Sequence, residues 1–373
     1  MKKDYRDVPI PEVTLLWTGK PAGDDEGYRD VRVCQEDATN PDPLVQLSSA
    51  ILSHVVYAEG ASPCVCVQYP EGLGAPNTVL VREPVNRGLV VADAILKSYG
   101  RRLLVLDGFR SAEVQRRLWE YIFLGIIGNL PLTDLTVPDC IRIGIQADDI
   151  GAYAALARTD QLADEIEAVK EKFGEILGKV AEALSKSVDE LALLFITFRR
   201  GLNLNTFPLD DTSNTAHGGG GAVDAILIDT TIGRPTFLGV PFDFVGAASA
   251  LTYFEHKENL ELYQRAVQTD PVLKEFAAQF GITEVSRDDF NQIRDERRLF
   301  FHIMSLVNAT YYVSECWHWN LGNERRGRQF DAYPCSGNAC HAILMNTRDM
   351  NGDVVAVWGN AYAQKEAARL LAK

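Results

Sequence analysis

Four glycines in a row, Gly218 to Gly221, stand between a histidine and an apolar run in the segment Ser213-Asn-Thr-Ala-His217-Gly-Gly-Gly-Gly-Ala222-Val-Asp224-Ala-Ile-Leu-Ile-Asp229. Glycine has no Cβ and loses more backbone freedom on ordering than any other residue, so the run predicts a loop that turns tightly or approaches something closely. Ala222 to Ile228 reads as a strand. A phosphate-binding loop would need Lys-Ser/Thr after the glycines and a helix behind them, and this sequence has neither. A glycine loop that turns back over its own strand can instead bring His217 and Asp224, seven residues apart, to one point.

The rest of the chain mixes helical and extended patterns. Val85, Leu89, Ala92, Leu96 and Tyr99 recur at three- and four-residue spacing and predict a helix from Glu83, with Gly100 as its C-terminal cap. Leu103 to Leu106 reads as a short buried strand running into Asp107-Gly108-Phe109-Arg110, followed by a second helix from about Ser111 to Phe123. From Thr159 to about Arg200, Leu162, Ile166, Val169, Phe173, Ile176, Val180, Leu184, Val188 and Leu191 keep a three/four rhythm. With Gly174 and Gly178 as interior breakers, this is one long helix or an αα-hairpin. It is read first as a packed layer, with a lid or a contact between copies of the chain as the alternatives. Further helices are expected near Glu258 to Val267, Asp288 to Val307 and Ala361 to Ala372, and a strand from Tyr311 to Val313 running into Glu315-Cys-Trp-His318-Trp319. The Pro-, Asp- and Gly-rich first sixty residues are expected to wrap the core as irregular structure.

No repeat and no interdomain linker stands out, so residues 1–373 are read as a single elaborated α+β domain, a central antiparallel sheet flanked by helices. Its core is placed at about 80–125 and 205–321, with a helical insertion at about 147–200 and a C-terminal extension over 322–373.

Charge narrows the partners. The net charge is −14 and no basic stripe is interleaved with aromatics, which argues against nucleic acid. No apolar run reaches the roughly 18 residues of a membrane span, and the N-terminus lacks the apolar core of a secretory signal. Seven scattered cysteines fit reduced thiols better than a disulfide framework or paired zinc knuckles. A cytoplasmic protein with no membrane partner is the expectation.

Histidine is scarce, six in all, and His217 and His318 lie in glycine- and tryptophan-rich contexts. A catalytic zinc takes about three protein ligands and leaves one position open. His217 and Asp224 supply two, and His318 is the best remaining candidate for the third. Glu315 stands three residues before His318, which puts both on one side of a helical turn or of a strand entering one. A carboxylate there can serve as general base toward water. Arg110 can supply a cation for a developing oxyanion, while Trp317 and Trp319 read as core aromatics.

Taken together, these pieces resemble the D-alanyl-D-alanine dipeptidases of the VanX type, zinc peptidases related to D-Ala-D-Ala carboxypeptidases and Hedgehog-like domains. Thr215-Ala-His217-Gly-Gly-Gly220-Gly-Ala222-Val-Asp224 matches that family's S-x-H-x-x-G-x-A-x-D, with Thr for Ser. Glu315-Cys316-Trp317-His318 matches E-W-W-H, and Asp107-Gly108-Phe109-Arg110-Ser111 matches D-G-Y-R-P. Gly239-Val-Pro-Phe-Asp243-Phe and Arg297-Arg-Leu-Phe look like its G-x-P/R-F-D stretch and its N-R-R-L-L helix. The motifs run in the family's order over roughly Leu80 to Gly125 and Asn205 to Leu321. The resemblance implies a Hedgehog-like fold and one zinc ion on His217, Asp224 and His318. It implies Glu315 as base and Arg110 as transition-state stabiliser. Asp243 would hold a substrate ammonium, Thr215 would stand in for a substrate-contacting serine, and Asp107 joins them among the substrate contacts. The implied activity is hydrolysis of a dipeptide or small peptide-like amide, D-Ala-D-Ala or a related D-amino-acid dipeptide among the candidates. The longer stretch between Arg110 and His217 and the tail after His318 depart from a minimal dipeptidase, as does Cys316 in place of a tryptophan.

Two other readings use the same residues. Two histidines and a carboxylate also describe the facial triad of Fe2+-dependent oxygenases acting on a small amino-acid-derived substrate. Glu315 discriminates, because water activation needs such a base. A non-catalytic binding module is the third, and the retention of ligands, base and arginine argues against it.

Overall fold

The computed structural model describes residues 4–11, 32–33, 43–59, 73–111, 113–115, 117–118, 161–193, 217–244, 246–307, 309–312, 315–321 and 355–356. In chain order the elements that frame the site are β1 (Leu44–Gln46), β2 (Leu52–Ser53), β3 (Leu80–Arg82), α1 (Glu83–Lys97), β4 (Arg101–Asp107), α2 (Gln161–Leu184), β5 (Ala222–Asp229), β6 (Arg234–Pro235), α3 (Asn259–Thr269), α4 (Pro271–Gln279), α5 (Arg287–Leu306), β7 (Thr310–Tyr312) and β8 (Glu315–Asn320).

The main sheet runs β2-β4-β5-β8-β7, with β6 also on β5. Its centre is antiparallel as expected, but the short edge strand β2 pairs parallel to β4. β1 and β3 form a separate antiparallel pair, so the stretch expected to be irregular contributes three short strands, counting Arg32–Val33, which pairs with Val355–Ala356. β5 is buried along nearly its whole length, on both faces. This explains why its sequence is a continuous apolar run rather than an alternation. α1 lays Val85, Leu89, Ala92 and Leu96 onto the core, and α5 adds Phe290, Ile293, Leu299, Phe300, Ile303 and Met304. The chain is thus α+β, with helices flanking the sheet.

α5 begins at a reciprocal cap. Ser286 Oγ accepts from the Asp289 backbone N–H at 3.1 Å, and Asp289 Oδ2 accepts from the Ser286 N–H at 2.8 Å. Ser286→Ala removes one of these bonds and should cost about 1 kcal/mol of stability, read as a lowered urea midpoint with an unchanged slope. α4 was not expected, although Asp270 caps it through Val272 and Leu273 and Pro271 opens it.

The 159–200 pattern resolves into an αα-hairpin, and neither glycine makes the break. α2 ends at Ser185, whose φ is 54°, and Lys186 N–H donates back to Ala181 O. Ser187 and Glu190 then form a second reciprocal cap that opens the next helix, seen over 188–193. Lys170 pairs with Asp189 across the turn at 2.8 Å. Val169, Leu177, Ala181, Leu191 and Ala192 are buried yet stand outside the main core cluster. The flanks of the insertion, the end of the second helix, residues 205–216 and the C-terminal extension apart from 355–356 lie outside the described residues. No helix among the described residues is long and apolar enough to cross a membrane.

Candidate metal centre

The turn after β4 and the glycine loop before β5 are sewn together by backbone. Phe109 N–H donates to Leu80 O at 2.6 Å, Arg110 N–H to His217 O at 3.3 Å, and Arg82 N–H to Gly220 O at 3.1 Å. Arg82 Nε donates to Gly219 O at 2.9 Å, so β3 clamps the loop from below. Gly220 has φ +74°, and a Cβ there would run into Leu44. Gly108 is equally constrained, since a Cβ would overlap Leu80 O and the Val79 side chain. Close backbone approach is therefore what Gly108 and Gly220 are for.

This stitching puts His217 beside β5, and Asp224 of β5 is the cross-strand partner of His318 in β8. His217 Nε2 and His318 Nδ1 lie 3.1 Å apart, and Asp224 Oδ1 lies 3.4 Å from the first and 3.2 Å from the second. All three residues are buried. The far nitrogens of the two rings face oxygens: His217 Nδ1 meets Gly108 O at 2.8 Å and Asp107 Oδ2 at 3.2 Å, and His318 Nε2 meets Asn320 Oδ1 at 3.0 Å. With those nitrogens donating, both near nitrogens present lone pairs. Asp224 Oδ1 is buried and accepts no hydrogen bond. Three acceptors thus converge with no donor among them, an arrangement that favours a cation between them. Bonds of about 2.0–2.1 Å at tetrahedral angles would separate such ligand atoms by roughly 3.3–3.4 Å, close to the triangle observed. The residues fit a small divalent cation.

Burial would raise the Asp224 carboxyl, but His217 and His318, when protonated and charged, hold it below the usual carboxylate range. Asp107 goes the other way: burial pushes it up against the pull of Arg110 and His217. Arg110 binds Asp107 Oδ2 through Nε at 2.9 Å and Nη2 at 2.8 Å, Gln115 Oε1 at 2.9 Å and Asp224 Oδ2 at 3.1 Å. Burial opposes its charge, yet Tyr57, Asp107, Asp224 and Asp243 hold the guanidinium protonated. Its Cζ also lies 4.8 Å from the Tyr57 ring centroid. Arg110 therefore grips the second oxygen of Asp224 and aims the first at the histidines. Asp107, expected among the substrate contacts, is buried behind His217 and engaged by Arg110, a place from which it orients the ring.

Glu315 lies 3.7 Å from His318 Nδ1 and keeps 24% of its side chain exposed. The two are not on a helical turn. β8 is a strand, in which residues three apart normally face opposite ways. The β7–β8 register jumps from Tyr311↔Trp319 to Tyr312↔Glu315, and that irregularity swings Glu315 back beside His318. Cys316 is buried and is not one of the grouped donors, and burial pushes its thiol up. Asp243 has φ +59°, and its Oδ2 accepts from Tyr57 OH at 2.8 Å, while Arg110 Nη2 reaches the same hydroxyl at 3.4 Å. Asp243 is thereby joined to the centre through Tyr57, which sequence reasoning missed along with Gln115 and Asn320. Thr215 lies outside the described residues.

Gly108→Ala tests the stitching. It should destabilise the fold and weaken divalent-cation binding together, because the added Cβ would overlap Leu80 O in β3 and so displace Gly108 O, the carbonyl that takes the His217 proton. A native melting midpoint with unaltered metal affinity would refute it.

No protein-family model matches the chain, and no curated protein matches its sequence.

Proposed function

We propose that the protein is a zinc-dependent hydrolase of a dipeptide or small peptide-like amide, built on a Hedgehog-like peptidase core. The observation that carries this reading is the convergence of His217 Nε2, Asp224 Oδ1 and His318 Nδ1 with a partly exposed carboxylate, Glu315, 3.7 Å from His318 Nδ1. The ordered motifs of the VanX-type dipeptidases support it, since two of them supply these four residues, a third supplies Arg110 on Asp224, and a fourth supplies Asp243. When bound, zinc supplies Lewis acidity toward a carbonyl and acidifies water.

The chain's own groups then divide the work. Glu315 takes the proton from the attacking water and returns it to the departing amine. Arg110 fixes Asp224 and places a permanent cation beside the reacting carbonyl. Asp243, oriented by Tyr57, offers a carboxylate to a substrate ammonium. Water activation gives Glu315 a task that an Fe2+ oxygenase would not, which is why hydrolysis is preferred over oxidation.

The test is metal analysis of the purified protein coupled to a screen of D- and L-dipeptides. Zinc at about one per chain with amide hydrolysis is the expected result. Iron with oxygen uptake and no hydrolysis would overturn the proposal.

A further inference from the structure

The two rings of the centre are oriented by unlike partners. His217 Nδ1 is held by a backbone carbonyl, Gly108 O, with a carboxylate behind it. Backbone oxygen is beyond the reach of substitution. His318 Nε2 meets a side-chain amide oxygen, Asn320 Oδ1, at 3.0 Å. Asn320 is fully buried two residues along β8, so it shares the sheet face of His318.

We infer that Asn320 is the positioning residue that fixes the tautomer of His318. This rests on the reading of the site as a metal centre. An amide oxygen accepts and cannot donate, so its bond to Nε2 is made when that nitrogen carries the ring proton. The Nδ1 lone pair is then the one aimed at Asp224 Oδ1 and His217 Nε2. With the proton on Nδ1 instead, an N–H would point into the donor set and Asn320 Oδ1 would face a lone pair. The choice between a ligand and a blocked nitrogen is therefore made outside the donor triangle, by a residue that touches neither zinc nor substrate. Outer partners of ligating histidines typically carry 10–100-fold in metal affinity.

The experiment reads zinc affinity by competition with a chromophoric chelator and the ring protons by nitrogen-15 NMR, in the full chain. Asn320→Leu keeps the bulk and removes the acceptor, and zinc affinity should fall about 10–100-fold. Asn320→Asp restores an acceptor, so affinity should return to within a few-fold of the parent. In the zinc-loaded parent the His318 proton should reside on Nε2, and its resonance should move in Asn320→Asp while the His217 Nδ1 proton stays where it is. This readout does not depend on the Leu variant folding. Zinc coordinated through His318 Nε2, an Nε2 proton indifferent to the aspartate, or parent-like affinity in a folded Asn320→Leu each overturns the inference and leaves the hydrolase reading intact. A chain that takes up no zinc overturns both.

Discussion

Glu315→Gln should lower kcat/KM for amide hydrolysis by roughly 10²–10⁴-fold, the usual worth of a positioned proton-transfer group. Glutamine keeps the size and polarity of the side chain and loses only its basicity. Glu315 is not one of the three donors whose atoms converge, so zinc content should stay at the parent value. The loss should fall mainly on kcat, since the proton moves in the transition state. Metal content and steady-state kinetics on the same preparation decide the matter. A loss below about tenfold with zinc retained would mean that another group moves the proton.

The largest effect on stability is expected at Arg297. Its guanidinium is fully buried, with no carboxylate beside it among the described residues. It donates to Leu238 O at 2.9 and 2.7 Å, to Ala250 O at 2.6 Å and to Ala248 O at 2.8 Å, with its Cζ 4.4 Å from the Phe254 ring centroid. Arg297→Met would fill much of the volume and leave the buried Leu238 and Ala248 carbonyls unsatisfied at about 1–3 kcal/mol each, while Ala250 O keeps the Tyr253 N–H. A loss of roughly 2–6 kcal/mol is expected, read as a drop in the urea midpoint. Arg297→Lys should recover part of it, because an ammonium carries three donors but lacks the planar fork. The clasped carbonyls flank Asp243, so any surviving activity of either variant should show a raised KM before a lowered kcat.

How much of this could be read from the residues depended on how far apart the cause and the effect lie. β4, β5 and α1 followed from local apolar rhythm. The His217–Asp224 pair was legible because the glycine loop and the strand it feeds are adjacent in sequence. His318 could be named but not placed, because its alignment with Asp224 is a β5–β8 register that no local pattern encodes. The spacing of Glu315 and His318 left a helical turn and a strand entering one both open; the closeness comes from a bulged strand. Tyr57, Gln115 and Asn320 escaped because each is an ordinary residue whose meaning comes from a tertiary partner. Tyr57, moreover, lay in a stretch set aside as irregular. The hairpin break went to Ser185 rather than to Gly174 or Gly178, since a helix interior tolerates glycine at a cost of about 1 kcal/mol, whereas Ser187-x-x-Glu190 starts a new helix outright. α4 had its own signals in Asp270 and Pro271, and those were there to be read.

The strand pairing of Asp224 with His318 also sets an order of events. His217 and His318 are 101 residues apart in the chain, so an unfolded or partly made chain can chelate with both only by closing a long loop, against its entropy. On the proposed reading the metal has essentially nothing to bind until β8 has docked on β5. Refolding should then proceed at the same rate with or without zinc, and zinc should slow unfolding instead, by holding the finished sheet shut. Such a protein acquires its metal as a completed fold and keeps it through a kinetic latch.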